Sequence, residues 1–109
     1  MKTFKLTDMD RGWFVGDFSP TAFPSKHFEV NFRTHNKGDK WDLHYHSKST
    51  EINLVVKGKM SFNNTILLEG DIFIVEPWQI SDPDFLEDTT VVCIRTPSVN
   101  DKIVVQELD

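Results

Sequence analysis

The chain has 109 residues, of which 39% are hydrophobic and 27% charged, and its formal net charge is −5. That is the length of one independently folding domain, too short for a cofactor domain beside a substrate domain, and the composition is that of an ordinary globular protein. The Lys and Arg residues are scattered and form no basic stripe, which argues against nucleic acid or an anionic membrane surface as partner.

Taken in chain order, the sequence alternates short runs rich in Val, Ile, Phe, Thr and Trp with polar turns. The predicted strands cover 12–17, 27–34, 41–46, 51–57, 59–62, 65–68, 71–75, 89–95 and 102–107. Asn63-Asn64 divides two of them and suits a two-residue hairpin, because Asn tolerates positive φ. Glu69-Gly70-Asp71 separates the next pair. Pro20, Pro24, Pro77, Pro83 and Pro97 fall between runs, where a missing N–H breaks no ladder. The acidic run Asp82–Asp88, apart from Asp82, reads as a solvated loop. Many closely spaced strands without an amphipathic helix predict an all-β, single-domain antiparallel barrel of the jelly-roll kind, with a pocketless sandwich as the alternative. Cys93 lies alone in the apolar run Val91–Ile94 and has no internal disulfide partner, and Met1–Leu6 has no apolar stretch of signal-peptide length. A reducing cytoplasm is therefore expected.

The segment Gly38–Gly58 carries the chemistry. His44 and His46 are two apart on a predicted strand, so both imidazoles leave the same face. The polar stretch Ser47-Lys48-Ser49-Thr50 then turns the chain, and Glu51 opens the next strand, where a hairpin would return its carboxylate beside the rings. Imidazoles with a carboxylate suit first-row transition metals better than Mg or Ca. The spacing Gly, five residues, His-x-His, four residues, Glu, six residues, Gly is met by Gly38, His44, His46, Glu51 and Gly58. At ordinary residue frequencies a chance match is below about one in a million per starting point.

This pattern resembles the first motif of the cupin superfamily. The resemblance covers roughly 28–96, with 1–27 as an N-terminal strand or arm, and implies a cupin-like jelly-roll with His44, His46 and Glu51 as metal ligands. Gly70-Asp71, the strand Ile72–Val75 and Pro77 are similar to the second motif, but Trp78 stands where that motif has Gly, and its histidine is absent. Counting from Gly70 puts Ser81 at the missing position, and counting from Pro77 puts Asp82 there. Asp82 is preferred as the fourth ligand because a carboxylate binds metal far better than a hydroxyl; water or Gln79 are the fallbacks.

Several residues remain with two readings. Asp42 shares strand parity with the histidines and could orient one of them. His27 and His35 lie outside the motif and read as surface residues. Glu29, Asn31 and Arg33 alternate with Phe28, Val30 and Phe32; if the polar set faces inward, Arg33 could hold an anionic group of a ligand. If Glu51 points inward, so do Asn53 and Val55, leaving Ile52, Leu54 and Val56 outside together with Trp41, Leu43 and Tyr45. Such an apolar face calls for cover by residues 1–18 or by a second copy, and the resemblance favours a homodimer. The implied function is a cytoplasmic cupin that uses a divalent metal (Fe, Mn, Zn or Ni) to act on a small polar metabolite, with Glu51 as a ligand or proton-transfer group. A non-catalytic binding module and a metal-free sugar isomerase- or epimerase-like cupin are the alternatives.

Overall fold

The computed structural model describes residues 1–105. After a single helical turn at Leu6–Asp8 come ten strands: β1 (Trp13–Val15), β2 (Glu29–His35), β3 (His44–His46), β4 (Thr50–Lys57), β5 (Lys59–Phe62), β6 (Thr65–Leu68), β7 (Ile72–Val75), β8 (Pro83–Phe85), β9 (Thr89–Thr96) and β10 (Lys102–Val104). They form a five-stranded sheet ordered β1-β2-β9-β4-β7, a three-stranded sheet β6-β5-β8 and a pair β10-β3. All pairings between these strands are antiparallel. The jelly-roll class is as expected, although the three sheets do not close into one continuous hydrogen-bonded barrel. The predicted last strand runs on to 107, beyond the described residues.

Local chemistry explains the turns. Asn63 and Asn64 both have positive φ (51° and 68°), and Phe62 faces Thr65, which makes the predicted two-residue hairpin. Gly58, at φ 103°, carries the chain from β4 in one sheet to β5 in another against the carbonyl of Asp88, where a Cβ has no room. The glycine that closes the histidine motif is thus required by backbone, not by the pocket. Trp78 sits at φ 71° where the related motif has Gly, so the aromatic occupies a conformation that normally favours glycine. The acidic run is not simply a loop. Its centre is β8, an edge strand that tolerates Pro83 and delivers Phe85 to the core with Val55, Met60, Leu67 and Val91.

Register across β2, β9 and β4 stacks the inward residues in layers. Glu29, Arg95 and Glu51 stand abreast, then Asn31, Cys93 and Asn53, then Arg33, Val91 and Val55. The polar set of β2 therefore faces inward. On the outside, Ile52 lies between Ile74 and Ile94, and Leu54 between Ile72 and Val92. Leu43 and Tyr45 are not part of this face, as the outward parity alone suggested. β3 pairs with β10 instead, and Tyr45 stacks on Trp78 at 5.3 Å. Trp41 turns into the cavity rather than outward.

Candidate functional site

A cavity of about 740 Å³ opens between the sheets, lined by the inward residues of β2, β4 and β9, by His44 and His46, and by Met60, Phe62, Phe73 and Phe85. One end is ionic and the other apolar.

His44 and His46 do leave the same side of β3, and both are buried. Each ring has Nδ1 engaged. His44 Nδ1 lies 2.8 Å from the backbone carbonyl of Asp42, while the Asp42 carboxylate, which strand parity offered for that role, is exposed and takes no part. His46 Nδ1 lies 2.9 Å from Oδ1 of Asp101, a residue that sequence reasoning missed. Oδ2 of Asp101 accepts the backbone N–H groups of Lys48 and Ser49, both at 2.8 Å. Burial would raise the Asp101 carboxyl, but these hydrogen bonds and His46 outweigh it and bring the pKa down to about 2. The ionised carboxylate accepts only, so His46 carries its proton on Nδ1 and leaves Nε2 for the cavity.

Glu51 also arrives, though not by the expected hairpin. β4 pairs with β9 and β7 rather than with β3, and Glu51 Oε1 reaches 3.9 Å from His46 Nε2 across the gap between sheets. Arg95 stands beside both. Its Nε is 3.6 Å from Glu29 Oε1 and 3.9 Å from Glu51 Oε1. Its terminal Nη1 is 3.0 Å from His46 Nε2 and 3.1 Å from Nδ1, nearly equidistant, so it packs against the ring rather than along one lone pair. The Arg95 head lies 4.5 Å from the Trp13 ring centroid. Burial raises the pKa of Glu29, with Arg95 opposing and Asp101 and Glu51 adding to it. Cys93 is pushed up by burial and then by Glu51, so its thiol stays protonated.

Asp82 is not brought to this group. It is exposed, and its backbone N–H donates to Asn63 Oδ1 at 2.9 Å. Ser81 holds the neighbouring place instead: it is buried, its N–H donates to the His44 carbonyl at 2.7 Å, and its Oγ has no partner among the described residues. The physical reason is parity. Bridging Ser81 to His44 turns the next residue away. His35, read as a surface residue, is also inside, stacked on Phe85 at 4.4 Å and edge-on to Trp41. Burial, with Arg33 adding, lowers its pKa to about 4, so it is neutral at physiological pH. His44 is likewise lowered, chiefly by burial. His27 is exposed, as expected.

The fit to a metal fails as the side chains stand. Among the described residues no three His, Cys, Asp or Glu side chains converge as a metal site, and a guanidinium lies against the ring of one predicted ligand.

No family model matches the chain, and no curated protein matches it. Solved structures do. A conserved protein with a double-stranded β-helix domain from Klebsiella pneumoniae is 20% identical with a TM-score of 0.69, over 76% of this chain and 74% of that one. A cupin-like protein from Ralstonia eutropha is 11% identical at 0.65, over 87% of this chain and 57% of that one. Pac13, a nucleoside dehydratase whose Streptomyces protein has also been solved with uridine, is 16% identical at 0.64, over 78% and 73%. These likenesses show a small cupin fold of the double-stranded β-helix type.

Proposed function

We propose that this cupin binds a small polar metabolite in its cavity and acts on it by proton transfer, with His46 as the acid–base group. The observation that carries this reading is the buried Asp101–His46 pair at 2.9 Å, which fixes the tautomer and turns the unprotonated Nε2 toward the cavity, between Arg95 at 3.0 Å and Glu51 at 3.9 Å. Glu51 is the second proton-transfer group, and Arg95, placed between two carboxylates, supplies fixed positive charge for an oxygen that becomes anionic. The apolar end, with Phe62, Phe73 and Phe85, suits an uncharged ring or chain of the same molecule. The likeness to a protein named as a nucleoside dehydratase supports the class, since removing water needs a base and an acid. The test is a screen of hydroxylated and phosphorylated metabolites by thermal shift. Hits should bind wild type and His46→Gln alike but turn over only with wild type; hits processed equally by both refute the role of His46.

A second reading keeps His44, His46 and Glu51 as ligands of a divalent Fe, Mn, Zn or Ni ion. It is favoured by one observation: both rings have Nδ1 held by an oxygen, the outer-shell arrangement that metal-binding histidines use, although Arg95 stands at Nε2 of His46. Elemental analysis of protein purified without added metal tests it.

For assembly we propose a homodimer across the outer face of the five-stranded sheet. Ile52 and Leu54 are each 38% exposed, Ile72 65% and Ile74 55%, and they are contiguous. The N-terminal residues Phe4, Leu6 and Met9 pack beside Phe14, Ala22 and Phe32, at the β1–β2 side, and do not cover β4 and β7. Localisation in a reducing cytoplasm is proposed from the lone free thiol of Cys93. No helix among the described residues is long and apolar enough to cross a membrane.

A further inference from the structure

We infer that Arg95 is the resident cation of this pocket and holds first-row metals out of it. Register places its side chain between two inward carboxylates, Glu29 on one neighbouring strand and Glu51 on the other. Glu51 and His46 are two of the three residues that the motif offers to a metal, and the Arg95 head touches both neighbourhoods at once: Nη1 is 3.0 Å from His46 Nε2 and Nε is 3.9 Å from Glu51 Oε1.

Its surroundings hold it there. The head is packed on Trp13 from one side, and Arg95 is only 15% exposed at its side chain. Two carboxylates left facing each other in such a layer need a counter-charge, and a guanidinium supplies it with directional donors. Arg95 Nε has no hydrogen-bond partner among the described residues, although carboxylate oxygens stand at 3.6 and 3.9 Å. The group is therefore held by the sum of its neighbours and not by one tight pair, as expected where a cation fills a space between donors.

A metal bonds an imidazole nitrogen at about 2.0–2.1 Å. On His46 Nε2 it would stand within a few ångströms of the guanidinium, a double positive charge beside a single one in a site largely shielded from water. It would also compete with Arg95 for Glu51. Charge repulsion at that range weakens binding on the order of 100-fold or more. Removing the guanidinium leaves His46 Nε2, Glu51 and Glu29 around the vacated space, with the His44 ring 5.5 Å from that of His46, and an incoming Co, Ni or Zn ion has to draw these donors together, because they do not converge as they stand. The departure from the motif is thus twofold: Ser81 stands where the motif has a histidine, and Arg95 supplies, between Glu29 and Glu51, the positive charge that a metal would otherwise bring.

The experiment titrates Co²⁺ into wild type, Arg95→Ala and Arg95→Gln, following visible absorption, with Zn²⁺-dependent thermal shift as the second readout. Wild type should show no saturable cobalt band, while the variants bind one ion per chain at least about 100-fold more tightly. Adding His46→Ala to the Arg95→Ala background should abolish that binding. A variant that folds only when Zn²⁺ is present supports the inference equally. It is overturned if folded variants bind cobalt no better than wild type. It is also overturned if wild type carries stoichiometric metal that His46→Ala releases, a measurement that decides the matter even if both Arg95 variants fail to fold. No turnover is read, so this inference and the proton-transfer reading fail separately.

Discussion

Replacing Asp101 with Asn removes one buried charge beside His46 while keeping the side chain's shape. In the folded chain Asp101 has a pKa of about 2 against an ordinary 3.8. At 1.36 kcal/mol for each pH unit, that difference makes the ionised carboxylate worth roughly 2 kcal/mol to the fold. Because the folded pKa lies below the unfolded one, this stability is fully present above about pH 4 and is lost as pH falls through 2. Asp101→Asn should therefore melt roughly 10 °C below wild type at pH 7. Its deficit should shrink between pH 4 and pH 2, because wild type loses there what the variant never had. Differential scanning calorimetry at matched ionic strength reads both. A variant that melts within 2 °C of wild type at pH 7, or a deficit that stays constant down to pH 2, would refute the claim that the carboxylate anchors Lys48, Ser49 and His46.

Light scattering should give wild type a mass near twice 12.7 kDa, and Leu54→Asp a mass near one chain with the cavity intact; a monomeric wild type removes the interface. Gly58→Ala should be far more destabilising than Gly38→Ala in urea titration, because both have positive φ but only Gly58 faces backbone where a Cβ would sit. Equal losses would show that φ alone matters. The His35 ring should titrate by NMR with a midpoint near 4, and since the unfolded ring protonates near 6.5, it draws stability down as pH falls across that interval. A midpoint near 6.5 would place the ring in water. Asp82→Ala should leave ligand binding unchanged, since that side chain points to solvent.

The parts of the fold that follow from local rules were legible. Period-two alternation put Glu51, Asn53 and Val55 inside and Ile52, Leu54 and Val56 outside, and Asn63-Asn64 made its hairpin because two adjacent residues must take positive φ. The contacts that define the site were not legible, because they join residues far apart in the chain. Asp101 meets His46 across 55 positions, and nothing local marks an Asp before a short edge strand as an imidazole partner. Arg95 ends an apolar run and reads as a strand terminus until register sets it between Glu29 and Glu51. His35 was misread because a lone histidine outside a motif is normally exposed; its stacking on Phe85 depends on β8, which the acidic flanks of that segment disguised as loop.

The sheet at the centre of this protein departs from the usual arrangement. Its inner side carries Glu29, Asn31, Arg33, Glu51, Asn53 and Arg95 among Val55, Phe73, Val75, Val91 and Cys93, and its outer side carries Phe32, Val92, Ile94, Ile52, Leu54, Ile72 and Ile74. A one-chain fold normally places the apolar side inward, because burial of that side is its main source of stability. Here one end of the inner side is given over to a charged pocket that costs stability, and among the described residues the compact apolar cluster of Val55, Met60, Leu67, Phe85 and Val91 sits at the other. The missing burial must be made good elsewhere. The outer isoleucines and leucine are each still more than one-third exposed, so covering them adds on the order of 1 kcal/mol per side chain. In the proposed homodimer, association and pocket are coupled through one sheet: a second copy on the outer face would add the burial that the polar interior gives up. Loss of the dimer in Leu54→Asp should accordingly lower the melting temperature while His46 and Asp101 stay paired, since the substitution lies on the opposite face from the site.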